Sequence, residues 1–433
     1  MDKKILIKTN ELSVPVIFLL TLVFLSCASV SPPQRRIPED YSGIVHAGGS
    51  RTPEEFRLMK SLGMNWTLHT FNWSRIESEP GKWDFRYYDE IVDMADRAGI
   101  KTLGVLAYDN GNVQRNQTVS RYIPSHEIPL FLEYVRKTVT HFRGRVDAWC
   151  IWNEPNTPRF WKGTDAEFYE LTKLAADTVR ETDSEVILLG GAVNRGVFGL
   201  PKKFINGLFK SASMNRMDGV AFHPYELNPA RTARLYDNFQ KMVKPWGFDN
   251  KIWITEVGYP TGGLYPTKVS EKKFSHYVIK TFTLLAIRDT RVILWYQLFD
   301  SVNRNPSNSE NFFGLVRSAE DYQSKGSEAF RLCATYISGT FLNAQDLRRE
   351  NLPSSLNAYY FYGEETSALV LWNDNPAPVK IRTSLPGTVH AMHNINTGAK
   401  ADIQANADIR VGSEPVFITW QVSDARTVVL KRR

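Results

Sequence analysis

Hydrophobic and polar positions along this chain fall into two regimes. Between Tyr41 and roughly residue 340, short apolar, β-prone runs alternate with longer stretches in which apolar residues recur every three or four positions. The runs have the character of strands buried on both faces, and the longer stretches that of amphipathic helices. Strands are predicted at Gly43–Ala47, Trp66–Thr70, Thr102–Ala107, Ala148–Trp152, Val186–Leu189, Gly219–Phe222, Ile252–Thr255 and Val292–Tyr296. Helices are predicted at Pro53–Leu62, Tyr87–Ala98, Leu130–Phe142, Ala166–Thr182, Lys203–Lys210, Thr232–Lys244, Lys272–Ile287 and Lys325–Ser338. Eight strands, each followed by a helix over about 300 residues, predict an α/β fold, a (β/α)8 TIM barrel spanning 41–342.

Beyond Ser338 the helical period disappears. Short β-prone runs follow at Ala358–Tyr362, Ala368–Trp372, Val379–Thr383, Val389–His393, Asp408–Val411 and Val416–Gln421, separated by turn signals such as Pro386-Gly387 and Thr397-Gly398. Strands this short and this closely spaced predict a C-terminal β-sandwich domain over 343–433. Its aromatic residues, Tyr359, Tyr360, Phe361, Trp372 and Trp420, serve either to pack against the barrel or to form a glycan-binding face, and packing is the commoner use.

The N-terminal stretch lies outside the fold argument. Lys3, Lys4 and Lys8 precede an apolar run from Val14 to Leu25, and Ser26-Cys27 follows at once. This is the order of a signal peptide, too short to span a membrane convincingly. Phe24-Leu25-Ser26-Cys27 resembles a bacterial lipobox, which makes 1–26 a lipoprotein-type signal peptide, Cys27 the lipidated residue and 27–40 a tether rich in Ser and Pro. The protein is then exported and attached to the cell-envelope membrane through a lipid anchor at Cys27. The other reading is an ordinary secretory signal with a coincidental cysteine.

Composition narrows the function classes. The formal charge of +7 is spread along all 433 residues, with no basic run that would suggest a nucleic-acid partner. Past the signal only Cys150 and Cys333 remain, so no disulfide framework is implied. The eight histidines are scattered without ligand spacing, and neither a metal nor a cofactor is expected.

Candidate chemistry sits where strands end. Ala148-Trp149-Cys150-Ile151-Trp152 breaks into Asn153-Glu154-Pro155-Asn156, and Ile252-Trp253-Ile254-Thr255 into Glu256-Val257-Gly258, so two strands present a glutamate at the tip. Barrel enzymes work at the C-terminal ends of their strands. The residues expected there also include His46, Thr70, Tyr108, Asn153, His223, Tyr225, Trp295 and Gln297. A sugar needs this mixture, because its hydroxyls take hydrogen bonds while its C–H faces stack on aromatic rings. Two carboxyl groups are what hydrolysis of a glycosidic bond requires, one as acid/base and one as nucleophile or second base.

Trp152-Asn153-Glu154-Pro155-Asn156, Phe222-His223-Pro224-Tyr225, Thr255-Glu256 and Trp295-Tyr296 resemble the strand-four, -six, -seven and -eight motifs of clan A glycoside hydrolases, family 39 before family 5. Phe71 to Glu77, Pro80 to Phe85, Asn311 to Leu315 and Glu414 to Ile418 extend the resemblance over about residues 41 to 421. The resemblance implies a retaining glycosidase acting on a β-linked poly- or oligosaccharide, with Glu154 as general acid/base and Glu256 as nucleophile. It further implies that Asn153 bonds the hydroxyl beside the reacting carbon, that His223 and Tyr225 flank the nucleophile, and that Trp295 is the floor beneath the sugar. Many relatives carry an arginine where this chain has Leu68. A carbohydrate-binding surface lipoprotein without turnover, a lectin or adhesin, is the alternative from another class, and it would be free to lose the Glu154/Glu256 pair.

Acylation at Cys27 is testable directly. The wild-type protein should follow membranes and partition into detergent, while Cys27→Ala should release it to the soluble fraction or leave it uncleaved. A soluble wild type with its mature N-terminus elsewhere would refute the anchor.

Overall fold

A computed structural model describes residues 35–45, 51–114, 120–196, 199–264, 268–302, 304–318, 320–321 and 325–433. The signal segment, Cys27 and His46 lie outside these residues.

Eight parallel strands close into a barrel: β1 Ser42–Val45, β2 Trp66–Asn72, β3 Lys101–Ala107, β4 Ala148–Ile151, β5 Ile187–Asn194, β6 Gly219–His223, β7 Ile252–Val257 and β8 Thr290–Tyr296. Each pairs with its sequence neighbours, and β8 closes on β1 through Ile293↔Ser42 to Tyr296↔Val45. The strands are buried along nearly their whole length because helices cover them from outside, and this explains the unbroken apolar runs. Capping residues start the helices where the periodicity begins. Thr164 and Glu167 form a reciprocal capping box on Asp165–Thr182, and Asn228 caps Pro229–Val243, whose first residue is a proline.

The N-terminal mouth of the barrel is plugged by Trp66 and Trp253, whose rings meet edge-on at 5.1 Å. Lys101 and Arg291 lie over these rings, and the Asp40 carboxylate bridges the two cations at 2.7 Å each. Burial would raise the Asp40 pKa, but the bonds from Arg291 and Lys101 outweigh it and hold the carboxyl below its ordinary range. This end is built for stability, which leaves the opposite mouth for chemistry.

The C-terminal region is two sheets. A seven-stranded sheet contains Leu356–Tyr362, Thr366–Asn373, Val416–Gln421 and Thr388–His393, and a four-stranded sheet contains Leu347–Glu350, Val428–Arg432, Val379–Ser384 and Asp408–Val411. Thr366–Asn373 is buried on both faces. Ala368, Val370 and Trp372 join the barrel's core cluster, while Leu369 and Leu371 join the sandwich's own. On the barrel side the sheet meets Tyr336, which contacts His393 and Phe417, and Lys280, whose ammonium lies over Trp372. The helix beneath, Glu271–Ala286, is buried nearly all round, as a helix between two packed layers must be.

One expectation changes. Arg35–Arg36, placed in the tether, pairs antiparallel with Phe341–Leu342 and so adds an edge strand to the seven-stranded sheet, with the Ile37 N–H donating to the Thr340 carbonyl at 2.7 Å. Strands of two residues leave no periodicity to read.

Ending the chain after Thr340 would strip the cover from the Glu271–Ala286 helix and expose a wide apolar patch, so insoluble protein is expected. A truncated barrel that stayed soluble and cleaved small substrates normally, but no longer bound polysaccharide, would show that the sandwich exists for glycan binding.

Candidate active site

Glu154 follows the last buried residue of β4 across a turn in which Trp152 (φ 64°) and Glu154 (φ 45°) both adopt the left-handed conformation. That conformation costs about 1–2 kcal/mol per residue and persists only where surrounding contacts demand it. Here they do. The Trp152 indole N–H donates to the Phe160 carbonyl at 2.8 Å, and its ring meets Tyr108, Phe131 and Trp161 edge-on. The Glu154 N–H donates to the Ala192 carbonyl of β5 at 3.1 Å.

Glu256 is the penultimate residue of β7, and the Tyr225 hydroxyl donates to its Oε2 at 2.7 Å. Between the two carboxylates stands His223, the last residue of β6 and 1% exposed. Its Nδ1 lies 2.8 Å from Glu154 Oε1 and 3.6 Å from Glu256 Oε2, and its Nε2 is 2.9 Å from the Thr255 hydroxyl. One oxygen of each glutamate and the His223 Nδ1 all fall within 4.8 Å of one another.

Electrostatics follow from that crowding. Burial, and then the nearby Glu154 carboxylate, push Glu256 up from 4.5 to about 7, although His223 and the Tyr225 hydroxyl pull the other way. Burial opposes charge on His223, but the two glutamates outweigh it and raise its pKa. Burial and the Glu256 charge drive Tyr225 far above its ordinary value, which keeps its O–H a donor. The crowding thus lets the Glu256 carboxyl hold a proton well above the ordinary carboxylate range.

The three side chains have the spacing to hold a metal ion, the one such group among the described residues. Their lone pairs and protons are already matched to one another, to Thr255 and to Tyr225. That pattern suits groups that carry protons.

Around this centre lies a cavity of about 590 Å³ at the C-terminal mouth. Val45, Leu68 and Thr70 line it from β1 and β2, and Tyr108, Phe160, Tyr225, Tyr296 and Phe313 supply aromatic walls. Polar groups complete it: Asn153, Asn194, Arg159, an Arg195–Glu226 pair at 3.0 Å, and Glu310, which accepts from the Tyr296 hydroxyl at 3.1 Å. The segment carrying Glu310 and Phe313 is pinned by a buried ion pair. The Lys325 ammonium lies 2.7 Å from Asp300 Oδ1, which also accepts from the Gly314 N–H at 2.8 Å. Leu68 thus makes an apolar wall at the position where the resemblance pointed to an arginine.

Of the residues expected from sequence, Glu154, Glu256, Asn153, Tyr225 and Tyr108 line the cavity, with Asn153 hydrogen-bonded to Tyr108, and the buried His223 contacts the two glutamates without lining it. Trp295 does not. It is fully buried, packed on Tyr259 and on Phe274 and Phe282 of the outer helix. Successive strand residues face opposite sides, so with Trp295 turned outward Tyr296 reaches the cavity in its place. Asn194, whose amide donates to Glu154 Oε1 at 2.5 Å, was not anticipated. Gly190-Gly191 reads as a strand end, yet β5 continues through it, and the resumed Ala192-Val193 was the available signal. Arg159, Glu226 and Glu310 lie on loops with no period to read.

The glycoside hydrolase family 42 model, Beta-galactosidase, matches residues 46–107. Beta-galactosidase BbgII of Bifidobacterium bifidum is 30% identical over 124 residues, 23% of this chain and 18% of that protein. Endo-1,4-beta-xylanase B of Thermotoga neapolitana is 22% identical over 203 residues, 44% of this chain and 57% of that protein. The chain thus spans less than two thirds of the length of these relatives. Among solved structures, a family 39 glycoside hydrolase from Bacteroides cellulosilyticus WH2 superposes with a TM-score of 0.72 at 20% identity, covering 88% of this chain and 81% of that one. A monomeric beta-xylosidase from Caulobacter crescentus CB15 gives 0.64 at 12% identity, covering 89% and 97%. The expected likeness to family 39 is met in the fold.

Because folding raises the Glu256 pKa, its contribution to stability is complete below about pH 4.5 and is lost as pH rises through about 7. The shift at His223 acts in the same direction. Glu256→Gln cannot ionise, so it should be more stable than wild type by roughly 1–3 kcal/mol at pH 8 and show no gain at pH 4, as read by thermal melting. An equal difference at both pH values would refute the assignment.

Proposed function

We propose that this chain is a retaining glycosidase that cleaves a β-linked poly- or oligosaccharide by double displacement. The observation that carries the reading is the approach of the Glu154 and Glu256 oxygens to within 4.8 Å at the ends of β4 and β7. Retaining enzymes hold their carboxyl groups about 5–5.5 Å apart, whereas inverting enzymes leave about 6.5–9.5 Å for a water molecule. The β linkage is supported by relatives described as β-galactosidase, endo-1,4-β-xylanase and β-xylosidase. A lectin reading offers no reason to hold two carboxyl groups this close at a like-charge cost.

In the first step a Glu256 oxygen attacks the anomeric carbon while Glu154 gives its proton to the departing glycosidic oxygen. The productive form has Glu256 ionised, Glu154 protonated and His223 charged. A second form of the same net charge has that proton on Glu256, whose carboxyl burial and the Glu154 charge push up to about 7. One proton moved across less than 5 Å, from Glu256 to Glu154, converts one into the other. Positive charge growing on the sugar favours the ionised nucleophile at the moment it is needed. Once Glu256 is a neutral glycosyl ester, Glu154 ionises freely and takes a proton from the water that completes hydrolysis. The aromatic walls stack on sugar faces, and Asn153 reaches the hydroxyl beside the reacting carbon. We further propose that the enzyme is exported and held at the membrane through Cys27. No helix among the described residues is long and apolar enough to cross a membrane.

The product anomer formed by wild type should retain configuration. Glu256→Gly should lose hydrolysis, and azide or formate should restore cleavage of an activated glycoside with an inverted product. Glu154→Ala should respond to azide with a retained product. A swapped rescue pattern, or inversion by wild type, overturns the roles. Activity should survive EDTA, and a loss restored only by a divalent cation would show that the three-residue cluster works through a metal.

A further inference from the structure

We infer that Asn194 is a positioning residue that decides which oxygen of Glu154 carries the catalytic proton. This inference rests on Glu154 being the acid/base.

Glu154 Oε1 accepts from the Asn194 amide at 2.5 Å and lies 2.8 Å from the His223 Nδ1, which donates to it whenever that nitrogen carries the ring proton, as the raised basicity of His223 between two carboxylates favours. An oxygen already receiving two hydrogen bonds has its lone pairs occupied and does not also take a proton. The proton therefore belongs on Oε2, which has no hydrogen-bond partner among the described residues. His223 alone does not settle this, because the same Nδ1 also lies 3.6 Å from Glu256. Asn194 is the donor committed to Glu154.

Its place there is built by an irregularity in β5. Between Gly190↔Val220 and Val193↔Phe222, β5 advances three residues while β6 advances two. The extra residue is accommodated at Gly191 (φ 90°) and Ala192 (φ 41°), both left-handed. A bulge of this kind reverses which face the following residues present. It pairs Asn194 with His223, so that the two side chains emerge side by side and converge on one oxygen. Without it Val193 would stand beside His223, and β5 would offer Glu154 no donor. The bulge carbonyl of Ala192 also accepts the Glu154 N–H, so one distortion holds both the backbone and the carboxylate of the same residue.

A second device fixes Asn194 itself. The regular pairing of β4 with β5 stops at Cys150↔Leu189. Further on, the Asn156 amide donates to the Asn194 carbonyl and its Oδ1 accepts the Asn194 N–H, both at 2.9 Å. The side-chain amide thus imitates one more rung of the sheet. The final residue of the Trp-Asn-Glu-Pro-Asn run reaches across to the residue that orients its glutamate.

The test compares Asn194→Ala and the isosteric Asn194→Asp, which replaces the donor by an acceptor, with Glu154→Ala as reference. Glycosides with poor leaving groups need the proton, while dinitrophenyl glycosides do not. Loss of a hydrogen bond that strengthens as Glu154 gives up its proton and becomes a carboxylate should lower kcat/KM on unactivated glycosides about 10- to 100-fold in both variants. On the dinitrophenyl substrate kcat/KM should stay within a few-fold of wild type, while kcat falls and azide raises it again, because azide needs no general base. If both variants lose all substrates equally without azide rescue, or cleave unactivated glycosides at the wild-type rate, the positioning role is wrong. If Glu154→Ala itself lacks the leaving-group dependence, the acid/base reading fails instead.

Discussion

Two carboxyl groups with oxygens inside 4.8 Å, both largely buried, set the terms for everything around them. Were both ionised, their repulsion would amount to roughly 3–4 kcal/mol at an effective dielectric constant near 20. That repulsion favours a proton in the cluster or a cation close by. His223 is placed for that, wedged between the pair, with its basicity raised by both glutamates and its other ring nitrogen 2.9 Å from the Thr255 hydroxyl. Tyr225 gives Glu256 a neutral donor that burial keeps from ionising. The same repulsion that makes the pair costly helps push the Glu256 carboxyl up to about 7, so that it can hold a proton near neutral pH.

Holding such a pair takes backbone distortion at the barrel mouth. Trp152, Glu154 and Ala192 all sit in the left-handed region within two adjacent strands, and their strain is met by a buried indole, a bulge and a side-chain amide acting as backbone. Regular strands would spread the same residues over opposite faces. The barrel's other mouth is closed by tryptophan rings and an Asp40-centred ion cluster. Stability and chemistry are thus assigned to opposite ends of one set of strands.

The second domain extends this division. Its seven-stranded sheet is apolar on both faces, one against the barrel helices and one against its own partner sheet. An edge strand from the N-terminal side of the barrel completes it. Glycan-binding surfaces present aromatic faces to solvent, but Tyr360, Phe361, Trp372 and Trp420 are buried here. The sandwich braces the helix that lies behind β8, and the buried Lys325–Asp300 pair holds the loop that brings Glu310 and Phe313 to the cavity.

Periodicity alone was enough to read the eight barrel strands and their helices, because strands buried on two faces and helices buried on one leave distinct apolar patterns. The same holds for six strands of the sandwich. The tip glutamates, His223 and Tyr225 were legible because strand ends in a barrel converge wherever they lie in the chain. What lay beyond that reading depends on which way a side chain turns. Trp295 and Tyr296 are adjacent letters of one strand, and only packing against Phe274 and Phe282 decides that the second, not the first, faces the cavity. Gly190-Gly191 reads as a stop, and only pairing with β6 makes it a bulge that delivers Asn194. The proton balance between Glu154 and Glu256 is set by distances of 3 to 5 Å among residues far apart in the chain. Local sequence determined which elements form and which chemical groups they carry, since those follow from burial and turn preference. Tertiary structure decided face, contact and charge state, since those are properties of neighbours the sequence does not name.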